Sequence, residues 1–394
     1  MKRAPARGTT LIELMVALVI GMILSLAVFG VMSTFEGKRR TIDAGADLDQ
    51  SASVAMFQLD RWIRSAGAGL EQANSYAYGC LLYATKGSTQ LLPPTASLPA
   101  PFASVGASTL RLAPVLILPN QTSPGDSNAS TSGHTSDALL VMSSGNTSGQ
   151  APTLFTASAG SAQLNVPNTL AFSASDLILV ADSQPASGGG IAPCMVTQAD
   201  SGITSGAATS LALGGSWYAA TVGTQSLSGY SDTGVAMDLG NATSRTPSFQ
   251  LLGVGDHDTL YAYDLLDISD TQLQASAENV FEMHALYGVD TDADGVIDHW
   301  YSPSDTTAGY TVSALSAGTS TAAGLLKNIR AIRVGLILRA ALPERDTIAA
   351  ATSLTLFSDI NSGALTYTRT LDTTEQHYRY RTIEATIPLR NNTF

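Results

Sequence analysis

The chain has 394 residues, 13% of them charged, and a formal net charge of -12. It is long enough to bury a sizeable core, and so acidic a balance disfavours nonspecific attraction to nucleic acid or anionic lipid. Ser, Thr, Gly and Ala dominate the middle of the chain, a composition that forms strands and polar loops more readily than helix bundles.

The N-terminus carries the most information. Lys2, Arg3 and Arg7 precede the run Leu14 to Phe35, which contains no charged residue. At 1.5 Å per residue that run spans roughly 33 Å, enough to cross a hydrocarbon core. It is too long for the h-region of an ordinary secretory signal, and Ala27-Val28-Phe29 is a poor cut site. Glu13 stands at the membrane entry of the run, where an ionised carboxylate without a partner costs a few kcal/mol. Cleavage after Gly8 would make Thr9 a new N-terminus whose amine is the missing cation, with Glu13 the fifth residue of the mature chain. The alternative is an uncleaved signal anchor with a chance Glu.

Gly8-Thr9-Thr10-Leu11-Ile12-Glu13-Leu14 resembles the prepilin motif, in which a membrane peptidase cuts after the Gly and methylates the new amine. The resemblance implies that Gly8 and Thr9 are the processing site. It also implies that Glu13 pairs with the amine of a neighbouring subunit during assembly. Thr9 departs from the usual Phe at the first mature position, and Gly30 stands where many major pilins carry a helix-kinking Pro.

Beyond Phe35 no Pro interrupts the chain until Pro93, and Leu48, Ala52, Met56, Leu59 and Ile63 fall on one helical face. Gly67 and Gly69 mark the stop. One helix from Thr10 to about Ser65 is therefore expected, roughly 80 Å long. From Leu70 to about Ser248 short apolar runs, Thr109 to Leu112, Ala138 to Met142 and Leu177 to Ala181, read as strands between polar stretches such as Ser123 to Ser136. Gly188 to Gly190 read as a turn.

The final third alternates with period two. Phe281, Met283, Ala285 and Tyr287 are expected to share one face of a strand. Ile332, Val334, Leu336 and Leu338 share another, with Arg333 and Arg339 opposite; Ile383, Ala385, Ile387 and Leu389 share a third. Three such strands predict an antiparallel sheet with one wet face. Arg61-Trp62-Ile63-Arg64-Ser65-Ala66-Gly67, Gly79-Cys80, Tyr287-Gly288-Val289-Asp290, Ile332-Arg333-Val334-Gly335-Leu336 and Leu389-Arg390-Asn391 look like the scattered signature of the PilW-type minor pilins. They touch both ends of the chain and little of residues 81 to 250.

The expected fold is α+β and pilin-like, a long N-terminal helix, transmembrane in its first half, packed on a β-rich antiparallel-sheet globular domain. Its divisions are a leader at 1–8, the helix at 9–66 with the span at about 11–35, a β-rich variable region with long loops at 67–270, and a C-terminal sheet region at 271–394.

Asp290, Asp292, Asp294 and Asp298 occupy positions 1, 3, 5 and 9 of a calcium-loop pattern, with Gly295 at position 6 and the Val296 carbonyl at position 7. Ile297 is expected to point into the core. Tyr301 replaces the usual bidentate Glu at position 12, so Asp305, another segment or water must complete the set. A structural Ca2+ is the expectation; a solvated acidic turn is the alternative. Cys80 and Cys194 are the only cysteines, and in an exported chain such a pair reads as a disulfide, against two buried thiols as the alternative.

His134, His257, His284, His299 and His377 are scattered, and no nucleophile elbow, phosphate loop or dinucleotide fingerprint is present. His257 reads as a turn residue before a strand, and Trp300, Tyr301 and Tyr310 as packing. The chain is therefore expected not to be an enzyme. The resemblance implies a minor pilin that helps to initiate or cap type IV pilus assembly. Its implied partners are the prepilin peptidase, other minor pilins, the major pilin and a possible tip adhesin. The implied location is the inner membrane, single-pass, with the exported domain in the periplasm, and then the pilus tip. The J-type pseudopilin of type II secretion is the second reading and a membrane-tethered hydrolase the third; no nucleic acid partner is expected.

Overall fold

The computed structural model describes residues 10–392 apart from 122–134, 147–149, 184, 187–188, 268–272, 345 and 350–351. The leader, Gly8 and Thr9, His134, Gly188 and most of the Ser123 to Ser136 stretch lie outside the described residues.

One helix, α1, runs over Leu11–Ser65, 55 residues, or about 80 Å at 1.5 Å each. Thr10 caps it in a capping box with Glu13. It runs as one helix past Gly30, where no proline removes a hydrogen bond. The stretch Leu11–Met32 is long and apolar enough to cross a membrane, and none of it is buried against the rest of the chain. The second half is different. Leu48, Ala52, Ala55, Leu59 and Ile63 are buried, each larger side chain contributing about 1.5–3 kcal/mol by leaving water. The predicted stripe is right but for one position, because Ala55 takes the buried place and Met56 sits at its flank, partly buried. Gly67 and Gly69 turn the chain away with φ of +75° and +68°, and a Cβ on Gly69 would stand 2.0 Å from the Asn146 carbonyl oxygen.

Three larger sheets follow among the described residues, beside smaller two-stranded ones. The six-stranded sheet has the order Thr89–Leu92, Leu82–Lys86, Cys194–Gln198, Asp176–Asp182, Gly234–Asn241, Thr153–Leu154. Its pairs are antiparallel except Leu82–Lys86 with Cys194–Gln198. The five-stranded antiparallel sheet has the order Leu273–Ala277, Thr259–Asp264, Ser248–Gly255, Ala138–Ser143, Val115–Leu118. The four-stranded antiparallel sheet has the order His299–Tyr301, Val280–Val289, Ile329–Arg339, Tyr380–Pro388. The Ala138 to Met142 and Leu177 to Ala181 strands thus form as predicted.

Thr109 to Leu112 does not form a strand. Ala107–Thr109 is a 3-10 turn, closed by the Thr109 hydroxyl donating to the Gly106 carbonyl at 2.6 Å, and only Arg111 makes a bridge, to Leu81. A local side-chain bond here competes with the ladder.

One apolar core joins the second half of α1 to all three sheets, from Leu48 to Leu389. The four-stranded sheet puts Met283, Ala285 and Tyr287, with Ile332, Val334, Leu336, Leu338 and Ile387, into that core. Phe281 does not join them. The register shifts between Val280 and Glu282, so the bulge turns Phe281 to the opposite face. That face is not wet over its length. The hairpin Ser353–Leu356 and Tyr367–Thr370 lies across it, and Leu356, Phe357 and Ile360 cover Phe281, Leu286 and Ile337.

Strand Tyr380–Pro388 climbs beside α1. Arg379 donates to the Thr41 hydroxyl at 3.1 Å, Arg381 pairs with Asp49, and the Asn391 amide donates to the carbonyls of Arg64 and Ala66, both at 3.3 Å. The loop 290–298 therefore lies at the end of the sheet near Arg64, roughly 35 Å along the helix from Thr41.

Candidate functional site: an assembly helix and a distal acidic loop

At the start of α1 the Glu13 carboxylate is engaged within its own chain. Its Oε2 accepts from the Thr10 N–H at 2.9 Å and the Thr10 hydroxyl at 3.1 Å. Sequence reasoning sought a cation for Glu13 and passed over Thr10, although Thr-x-x-Glu before an apolar run is itself the capping-box signal. This leaves a polar knot at the head of an apolar, unburied helix, a surface able to pack against other helices in lipid.

The acidic loop hangs between strands Val280–Val289 and His299–Tyr301. Asp290, Asp292 and Asp294 each bring a carboxylate oxygen within 4.8 Å of the others. Asp298 does not join that trio; its Oδ2 accepts from the Thr291 N–H at 2.7 Å and the Thr291 hydroxyl at 2.8 Å. Asp290 is buried. Its Oδ1 accepts from the Ala293 N–H at 2.7 Å, and its Oδ2 from the Gly295 N–H and the Arg330 Nε, both at 3.0 Å. Burial works against its charge, but the Gly295 N–H and the Arg330 guanidinium outweigh burial and hold the carboxyl below its ordinary range. The Thr291 donors lower Asp298 in the same direction.

Gly295 turns the loop at φ +88°. Ile297 lies against Gly288, where an added Cβ would meet it at 3.2 Å, while Val296 is exposed. Tyr301 at position 12 stacks on Tyr310 with centroids 5.0 Å apart and offers no carboxylate. Asp305 turns to its own Thr307 N–H at 2.8 Å. The oxygens of Asp290, Asp292 and Asp294 suit a hard cation, with Arg330 as a competing positive charge that sequence inspection could not place beside them.

Cys80 and Cys194 form a disulfide with Cα atoms 5.6 Å apart, closing a separation of 114 residues. Tyr310 is buried. His257 is an exposed turn residue at φ +58°, between strands Ser248–Gly255 and Thr259–Asp264. The remaining described histidines do not meet: His299 lies beside Tyr301, His377 contacts the Glu344 carbonyl, and His284 is buried between Asp137 and Glu282.

Residues 3–29 match the prokaryotic N-terminal methylation motif. With the apolar helix Leu11–Met32 and the β-rich domain behind it, this fits a membrane-anchored, pilus-associated protein. Residues 253–391 match the family of type IV pilus-assembly protein W, PilW. Together the two matches support a type IV pilus-related pilin and are consistent with a minor pilin of the PilW type. The PilW match takes in the four-stranded sheet, the acidic loop and part of the five-stranded sheet; Arg61–Gly67 and Gly79–Cys80 lie outside both matches. No curated protein and no solved structure matches the chain.

Proposed function

We propose that this chain is a minor pilin that helps to initiate or cap type IV pilus assembly, and that it breaks no bond itself. The prepilin peptidase removes Met1 to Gly8, the amine of Thr9 is freed, and Glu13 meets the corresponding amine of a neighbouring major or minor pilin. The carrying observation is the division of α1, with Leu11–Met32 unburied and apolar behind Glu13 and the second half built into the domain core. A subunit so divided can leave lipid without unfolding its exported domain. In this reading the domain faces the periplasm from the inner membrane and then stands at the pilus tip, where a tip adhesin could contact it.

Changing Glu13 to Ala and counting pili tests this, and a large drop in pilus number is expected. Normal piliation with normal incorporation of the variant would reject the assembly role. Normal piliation with lost protein secretion would favour the J-type pseudopilin.

We further propose that the acidic loop takes Ca2+ as a structural ion through Asp290, Asp292, Asp294 and the Val296 carbonyl. Asp298 joins them only if it leaves Thr291. Such an ion would neutralise the clustered carboxylates and stiffen the connection between two strands. Titration calorimetry on the detergent-solubilised chain should show calcium heat that is lost in Asp292→Asn; no heat at millimolar calcium would refute the site.

A further inference from the structure

The outer face of the four-stranded sheet hides a group of charges with no part in the reading above. His284, Glu282, Asp137, Arg369 and Glu375 are all buried, a costly arrangement unless the charges offset one another. His284 Nδ1 lies 3.6 Å from Asp137 Oδ2, and its Nε2 lies 3.5 Å from Glu282 Oε2. Its ring stacks on Tyr367 at 3.7 Å between centroids, and the Tyr367 hydroxyl donates to Glu282 Oε2 at 2.9 Å. Arg369 Nε lies 3.0 Å from Glu282 Oε1, and its other end holds Glu375.

The partners come from separate elements. Glu282 is on the same strand as His284, and Asp137 leads into Ala138–Ser143. Tyr367 and Arg369 belong to the hairpin that covers the sheet, and Glu375 follows that hairpin. The hairpin also lines a cavity of about 250 Å³ on this face, with Asp137, His284, Phe357 and Tyr367 in its walls.

We propose that hairpin 353–370 is a strap over the sheet, locked while His284 carries a proton and released when that proton leaves. With the imidazolium present, three buried carboxylates face two cations. Without it one of the two is lost from this group, and the least costly relief is to let water in beneath the strap, exposing Phe281, Leu286 and Ile337. Burial by itself disfavours the charged ring, but the Asp137 and Glu282 carboxylates outweigh it and push His284 up to about 9. A group raised in this way stabilises the folded arrangement fully below its unfolded value of about 6.5. That contribution is lost as pH rises through the folded value.

The test is hydrogen exchange of the full chain in detergent from pH 6.5 to 10, corrected for intrinsic rate. Peptides covering 353–370 are compared with peptides covering 177–182 as reference. The strap's exchange should rise roughly tenfold or more over the reference as pH passes about 9. His284→Gln should show that faster exchange already at pH 7 and stay flat, and adding Glu282→Gln should restore protection at pH 7. A wild-type strap whose protection is constant over the range overturns the proposal, as does His284→Gln with an unchanged pH profile. If the variants do not fold, the wild-type profile decides alone.

Discussion

The six-stranded and four-stranded sheets share one core and are fastened by different means. The first is buried on strand after strand, as in Asp176–Asp182 and Cys194–Gln198, and is cross-linked by Cys80 and Cys194. The second is fastened by charge, through Asp290 with Arg330, Arg333 with Glu384 and Asp359, Arg339 with Asp258, and the group around His284. A covalent tie acts by limiting the unfolded chain and is indifferent to pH. Ion pairs depend on the protonation of each partner. The two sheets should therefore fail under different insults.

The largest expected effect is loss of the disulfide. Changing both Cys80 and Cys194 to Ser should cost about 3–5 kcal/mol, seen as a lower denaturant midpoint, with hydrogen-exchange protection falling first in 177–182 and 194–198. Equal loss in 329–339 would erase the contrast. Next comes Leu59→Ala, which empties a place in the common core and should cost about 2–5 kcal/mol. It should lower protection in both sheets together, whereas Leu18→Ala in the apolar first half of α1 should change the stability of the globular domain by no more than about 0.5 kcal/mol. The smallest effect is that of acid. Asp290 and Asp298 titrate below the ordinary 3.8, so their contribution is present above that value and is lost as pH falls through the folded-state values. Exchange in peptides covering 290–298 should rise there while 177–182 holds, and a loop unmoved at pH 2 would contradict the charge-fastened half of the contrast.

Much of this was legible in the chain itself. The charge-free run behind Glu13 announced α1, and apolar spacing placed its buried stripe to within the exchange of Met56 for Ala55. What stayed hidden was non-local. A period-two reading cannot foresee the bulge that turns Phe281 away from Met283, Ala285 and Tyr287, because one inserted residue puts the positions on its two sides on opposite faces. Arg330 stands forty residues from Asp290, and Asp137 lies far up the chain from His284, so neither pairing leaves a mark in local pattern. The hairpin that covers the outer face is likewise too short to declare which surface it will dry. Thr10 is the contrary case, a local signal present in the sequence and overshadowed by the search for a distant cation.

Strand Tyr380–Pro388 ascends with α1, so the turn bearing Asp290, Asp292 and Asp294 is carried at the end of the four-stranded sheet away from the apolar span Leu11–Met32. Under the proposed assembly role, a subunit extruded head first would bring that turn to the surroundings ahead of the rest of the sheet. If that turn takes the proposed ion, the composition of the external medium, rather than of the cell envelope, sets when its leading edge stiffens.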